Sequence, residues 1–108
     1  MEQIFRETEF EWDEYNIDKN WKRHGVRYTE CEEVFFDPHL KTIPDEKHSQ
    51  WEHRFLALGK TKTGRRLFVA FTQRVGKVRV ISAREMSRKE RRNYEEKIEK
   101  DASSEERG

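Results

Sequence analysis

The sequence predicts a small α+β domain in which helices pack against one antiparallel sheet. Three observations point there. Apolar residues recur at helical spacing before residue 40 and switch to strand-like alternation from 40 to 84. Inside that second stretch the connections are as short as Lys62-Thr63-Gly64 and Val75-Gly76-Lys77, which favours antiparallel neighbours. Ser/Thr-x-x-Glu patterns at Thr29 and Ser87 mark helix starts on either side of it. The 108 residues are one domain's worth, 42% charged and 32% hydrophobic, so the core must be thin and built from large side chains; seven Phe, three Trp and three Tyr supply them.

Taken in order, Phe10-Glu11-Trp12 alternates as a short strand does, and Asp13 stands where a helix N-cap belongs. A first helix is expected over about 14 to 24, with Tyr15, Ile17, Trp21 and His24 on its repeating face and Gly25 at its left-handed end. A second, short helix is expected to start at Thr29, to bury part of Cys31, Val34 and Phe35, and to stop before Asp37-Pro38. Leu40–Ile43 reads as a short strand and Pro44–Ser49 as a loop. Strands follow at Arg54–Lys60, Arg66–Thr72 and Val78–Ala83. In the middle one both alternating sets are apolar, so it should be central and covered on both faces. The Ser87 box opens a helix carrying Tyr94 and Ile98 on one face. The expected organisation is therefore one domain over 1–100, made of a short N-terminal strand, two helices, a sheet of three or four antiparallel strands and a C-terminal helix. Residues 101–108, acidic and without a large apolar side chain, are expected to be a disordered tail.

No apolar run approaches the roughly 18 residues of a membrane span, and the first residues lack the order of a secretory signal. A single cysteine, Cys31, rules out an internal disulfide framework and fits a reducing compartment, so a cytoplasmic location is expected. The formal charge of +1 conceals a segregation. Residues 1–59 sum to −6, residues 60–94 to +10 and residues 95–108 to −3. A basic block of this kind hints at nucleic-acid contact. It is rich in Arg: Arg65, Arg66, Arg74, Arg79, Arg84, Arg88, Arg91 and Arg92. Guanidinium groups suit bidentate phosphate contacts, and rows of them across a sheet face would bind a phosphate backbone. Arg79 alternates in phase with Ile81 and Ala83, so it should share their face and need a partner, Glu52 or Asp45. Lys22-Arg23-His24 ends the first helix, where His24 could handle a proton or simply complement the helix dipole. His24, His39, His48 and His53 lack tight metal-ligand spacing, and no phosphate-loop or nucleophile-elbow motif occurs, so neither a metal nor a cofactor is expected.

Several stretches together resemble one family. They are Phe10-Glu11-Trp12-Asp13, Asn20, His24-Gly25-Val26, Val34-Phe35, Asp37-Pro38, Asp45, His48-Ser49, Glu52, Arg54, Gly59, Gly64-Arg65, Thr72, Arg74, Arg79-Val80-Ile81-Ser82-Ala83-Arg84, Glu90-Arg91 and Tyr94. In order and spacing they resemble the BrnT toxins of type II toxin–antitoxin systems, whose fold is like that of the RelE messenger-RNA interferases. The resemblance implies a metal-independent ribonuclease that inhibits translation, using attack by the ribose 2′-hydroxyl. It also implies neutralisation by a BrnA-like ribbon-helix-helix antitoxin in a 2:2 complex, with DNA reached only through the antitoxin. Onto those roles the residues map as His24, Arg65 and Arg79 for catalysis, the two Arg clamping the phosphate from neighbouring strands. Lys22, Arg23, Arg74, Arg84, Arg91 and Tyr94 would contact RNA. Two positions depart from the family's pattern, Asn16 and Arg23, where Lys is common. The alternative is a catalytically degenerate binding module that acts only with its antitoxin as an autorepressor.

Overall fold

The structure, a computed structural model, describes residues 8–48 and 52–107. Its elements are β1 (Glu9–Glu11), α1 (Glu14–His24), α2 (Tyr28–Val34), β2 (Lys41–Pro44), a 3-10 turn (Glu46–His48), β3 (Arg54–Lys60), β4 (Arg66–Arg74), β5 (Lys77–Glu85) and α3 (Arg88–Arg107). The strands form one five-stranded sheet in the order β1-β5-β4-β3-β2. The last four are antiparallel neighbours as expected, and the N-terminal strand joins them parallel to β5. β4 is central and buried along most of its length. Among the described residues no helix is long and apolar enough to cross a membrane.

Cross-strand register sorts the side chains onto two faces. Phe55 and Ala57 of β3, Leu67, Val69 and Phe71 of β4, and Val78, Val80 and Ala83 of β5 form the main core with Cys31 and Val34 of α2, with Phe35 at its C-terminal cap and with Val26. Phe35 meets Phe71 edge-on with ring centroids 4.9 Å apart. The opposite face is only half covered. There α3 lays Tyr94 and Ile98 over Leu58, Phe68 and Met86 at one end, and among the described residues no helix lies over the other end.

Helix α1 begins and ends where expected. Asp13 caps it by accepting from the Asn16 amide at 2.7 Å, and Gly25 ends it at φ 61°, where a side chain would be strained. Its inner face, however, is not the aromatic one. Tyr15 is 69% and Trp21 51% exposed, and the buried positions are Asn16 and Asn20. The reason lies in the sheet. β1 pairs with β5 only as far as Arg79, which leaves the rest of that strand's outer edge without a neighbouring strand. Side chains of α1 bond to it instead. Asn16 Nδ2 donates to Val80 O (3.2 Å), Lys19 Nζ donates to Ile81 O (3.0 Å), and Asn20 Oδ1 accepts from Ala83 N (3.2 Å). Amide side chains satisfy an edge that Leu or Ile could not. Asn16 thus has a structural task of its own.

Other differences are local. α2 starts one residue before Thr29, and its cap is the Arg27 amide donating to Glu30 Oε1 (2.9 Å). The Ser87 box is formed in both directions, Ser87 N to Glu90 Oε1 (2.8 Å) and Glu90 N to Ser87 Oγ (3.2 Å). Helix α3 continues from Asp101 to Arg107, through the stretch expected as a tail. Asp101 fastens it by accepting from Lys97 Nζ at 2.7 Å and bonding His39 Nδ1 at 2.8 Å. An intrahelical pair and a tie to the body supply what the missing apolar residues do not. Ser49, the end of the expected loop, lies outside the described residues.

Candidate functional site

The open end of the second sheet face is crossed by one row of residues. Arg54 of β3 stands opposite Thr72 of β4, which stands opposite Arg79 of β5, which stands opposite Glu11 of β1. Adjacent strands lie about 4.8 Å apart, so the two Arg Cα atoms are separated by about 10 Å with Thr72 between them. Two extended guanidinium side chains at that spacing can close on one phosphate. Around the row is a concavity of about 240 Å3, lined by Asn16, His48, Glu52, Arg54, Thr72, Arg79 and Ile81. On its floor the Thr72 hydroxyl is buried beside the Glu52 carboxylate and, after Arg74, helps to hold that carboxyl below its ordinary range.

A bulge aims Arg79. Phe71 pairs with Val80 and Ala70 with Ser82, so Ile81 is an extra residue in β5. The bulge reverses the alternation, and Ala83 therefore joins Val80 in the core while Arg79 faces the other way, with Ile81 beside it in the concavity. The expectation that Arg79 and Ala83 share a face is corrected by that one inserted residue. Its ion-pair partner is neither Glu52 nor Asp45 but the helix cap Asp13, at 3.1 Å. The Asn16 amide first, and Arg79 in addition, hold the Asp13 carboxyl below its ordinary range. Arg74, at the rim, bonds Glu52 (3.1 Å) and Glu11 (3.5 Å), and its guanidinium holds Glu52 down in the same sense.

The other expected site residues lie elsewhere. Arg65 precedes β4, seven residues and about 23 Å along the strand from Thr72, so it and Arg79 do not reach one phosphate. It ties α1 and α2 to the sheet: its guanidinium bonds Gly25 O (2.8 Å), Glu30 (3.1 Å) and Glu85 (3.2 Å) and lies near His24 O. His24 and Arg23 are exposed at the far end of α1, about 16 Å along the helix from Asp13 and Arg79. Lys22 pairs with Asp18 at 3.0 Å. Arg84 is stacked 4.0 Å over the Phe68 ring and holds Glu90 with both terminal nitrogens, at 2.8 and 2.9 Å. Arg91 lies 3.9 Å from Glu85. Tyr94 is fully buried with its hydroxyl donating to Asp37, and so presents no ring face to a base. The basic block is therefore threaded with carboxylates, its own Glu85 and Glu90 together with Glu11, Asp13, Glu30 and Glu52 of the acidic N-terminal segment.

Sequence reasoning thus brought Arg79 and Arg74 to this site and missed Arg54, Thr72, His48 and Glu52 as its members. Their signal was present, since all four stand among the residues that carry the family resemblance, but only strand register shows that Arg54 and Arg79 flank Thr72.

Residues 12–90 match the profile of the family described as "Ribonuclease toxin, BrnT, of type II toxin-antitoxin system". Among solved structures, the crystal structure of the Brucella abortus ribonuclease toxin BrnT aligns with a TM-score of 0.59 at 23% identity, over 75% of this chain and 99% of that one. At that identity it shows a shared fold. No curated protein matches.

Proposed function

The chain belongs to the BrnT family of ribonuclease toxins of type II toxin–antitoxin systems, and on that premise we propose that it cleaves RNA at the Arg54–Thr72–Arg79 row. The reaction is a metal-independent transesterification in which the ribose 2′-hydroxyl attacks the adjacent phosphorus and a 5′-hydroxyl leaves. The observation that carries this reading is the row itself, two arginines on the strands that flank Thr72, lining one concavity with His48 and Glu52. Fixed cations aimed at a phosphate stabilise the charge that grows on its oxygens in the transition state. Arg74 at the rim, and Lys22 and Arg23 further along α1, would position flanking backbone. A toxin of this class has an antitoxin, here expected to be a BrnA-like ribbon-helix-helix protein in a 2:2 complex through which DNA is reached, and the cellular consequence is arrest of translation.

In the free protein Arg79 is held by Asp13, so RNA must exchange for that carboxylate. The same pairing suits the alternative of a degenerate module whose cations serve only structure and antitoxin binding. Inducing the chain alone in a bacterium, and incubating the purified protein with total RNA, separates the two. Growth arrest and RNA cleavage are expected, with Arg79→Ala and Arg54→Ala each lowering the cleavage rate about 100- to 1,000-fold. His24→Ala, about 16 Å away, should keep most of the activity. Unimpaired growth at confirmed soluble expression would sink the ribonuclease reading, and full activity of Arg79→Ala would remove the row from it.

A further inference from the structure

The row supplies positive charge but no group that can deliver a proton, and cleavage at a 5′ oxygen leaves an alkoxide that needs one. One side chain at the concavity is built for this. His48 lines the concavity beside Arg54, Arg79 and Glu52. Its ring does not hang loose on the turn, because Nδ1 lies 2.9 and 3.2 Å from the two carboxylate oxygens of Asp45. Asp45 is fixed in turn by its own backbone, its amide donating to Arg54 O at 2.8 Å, which ties the turn to the strand bearing one arm of the row. The His48 amide also donates to Asp45 O at 3.3 Å. An imidazole whose Nδ1–H is committed to a carboxylate presents Nε2 as its working nitrogen.

Resting on the ribonuclease reading above, we propose that His48 is the general acid of the reaction, oriented by Asp45 as a positioning residue. The 2′-hydroxyl proton passes to the Glu52 carboxylate as the O2′–P bond forms. The P–O5′ bond breaks, and the His48 Nε2–H proton goes to the departing 5′ oxygen. The products are a 2′,3′-cyclic phosphate and a 5′-hydroxyl, and solvent returns Glu52 and His48 to their starting protonation. No redox partner is required. His24, by contrast, stands on α1 about 16 Å from the row and cannot serve this phosphate.

A change of leaving group tests the assignment. The substrate is a short oligodeoxynucleotide carrying a single ribonucleotide of the base found at wild-type cut sites, with either the natural 5′ oxygen or a bridging 5′ sulfur. A thiolate leaves without being protonated. His48→Ala and His48→Gln should lower single-turnover cleavage of the oxygen ester about 100-fold or more, keep binding by fluorescence anisotropy within about twofold, and cleave the sulfur ester at close to the wild-type rate. Asp45→Asn should show a smaller loss, about tenfold, with the same recovery on sulfur. Glu52→Gln and Arg79→Ala should lose rate equally on both esters. Equal losses for His48→Ala on both, or no loss on oxygen, would overturn the proposal. Full activity of Arg79→Ala beside a sulfur-rescued His48→Ala would remove the phosphate row and leave the acid in place. A wild-type protein that cuts neither ester would remove both.

Discussion

Tyr94→Phe separates a buried anchor from an RNA contact. The Tyr94 ring is fully buried between α3 and the sheet, and its hydroxyl donates to Asp37 Oδ2. The same oxygen accepts from Lys60 N at 2.7 Å, and the other carboxylate oxygen accepts from His39 N at 2.8 Å. Asp37 thus joins the end of α2, the start of β2, the end of β3 and α3. Burial first, and then the Asp37 carboxylate, push the Tyr94 phenol well above its ordinary range, so it is a donor at any working pH. Removing the hydroxyl leaves a part-buried carboxylate with two donors in place of three. Hydrogen bonds to charged groups contribute about 1.5–3 kcal/mol. Asp37 and Tyr94 also line a solvent-open groove, where water can take the vacated place, which favours the low end. A loss of about 1.5 kcal/mol corresponds to a fall of roughly 5–10 °C in Tm for a domain of this size. Thermal unfolding followed by circular dichroism measures it, alongside RNA cleavage at a temperature well below both transitions. Unchanged cleavage with lowered Tm is expected. Lost cleavage at unchanged Tm would mean that Tyr94 touches RNA and that the anchoring argument fails.

Two further outcomes follow from the packing and the ion pairs. In Gly59→Ala the new Cβ would lie 2.7 Å from Val34 Cγ1 and 3.0 Å from Val34 O, so α2 would be pushed off the sheet; chemical denaturation should show a loss of about 1–3 kcal/mol, and wild-type stability would refute the close approach. Burial pushes the Glu90 carboxyl up, but Arg84 and Ser87 together bring it below its ordinary 4.5. A carboxyl depressed in the folded state contributes stability that is present above the unfolded value and is lost as pH falls through the folded one. Wild-type Tm should therefore drop below about pH 4.5. The drop should be shallower in Glu90→Gln, but not absent, because Asp13, Glu52 and Asp101 are depressed too. An identical pH profile for Glu90→Gln would refute the assignment.

What the sequence determined was whatever rests on neighbours a few residues apart. The Asp13 cap, the left-handed Gly25, the Ser87–Glu90 box and the two tight turns are local hydrogen bonds or dihedral preferences, and each is where the chain spells it. The central position of β4 was legible for a related reason, since a strand apolar on both alternations has to be covered twice. Family membership was legible from residue order alone. Tertiary structure decided everything that depends on register across strands. The inner face of α1 reads as aromatic until the bare edge of β5 calls for Asn16 and Asn20. The facing of Arg79 hinges on one bulged residue, Ile81, which alternation along a single strand cannot reveal. Arg65 and Arg54 are both arginines beside strands of the same sheet, and nothing in their own neighbourhoods distinguishes them. Pairing over 18 residues sets Arg54 opposite Thr72 and, seven residues further, Arg79, while Arg65 is drawn into the carboxylates of α2 and β5. A site made by distant segments meeting across a sheet is a property of the ladder, and the ladder forms only when the whole core does.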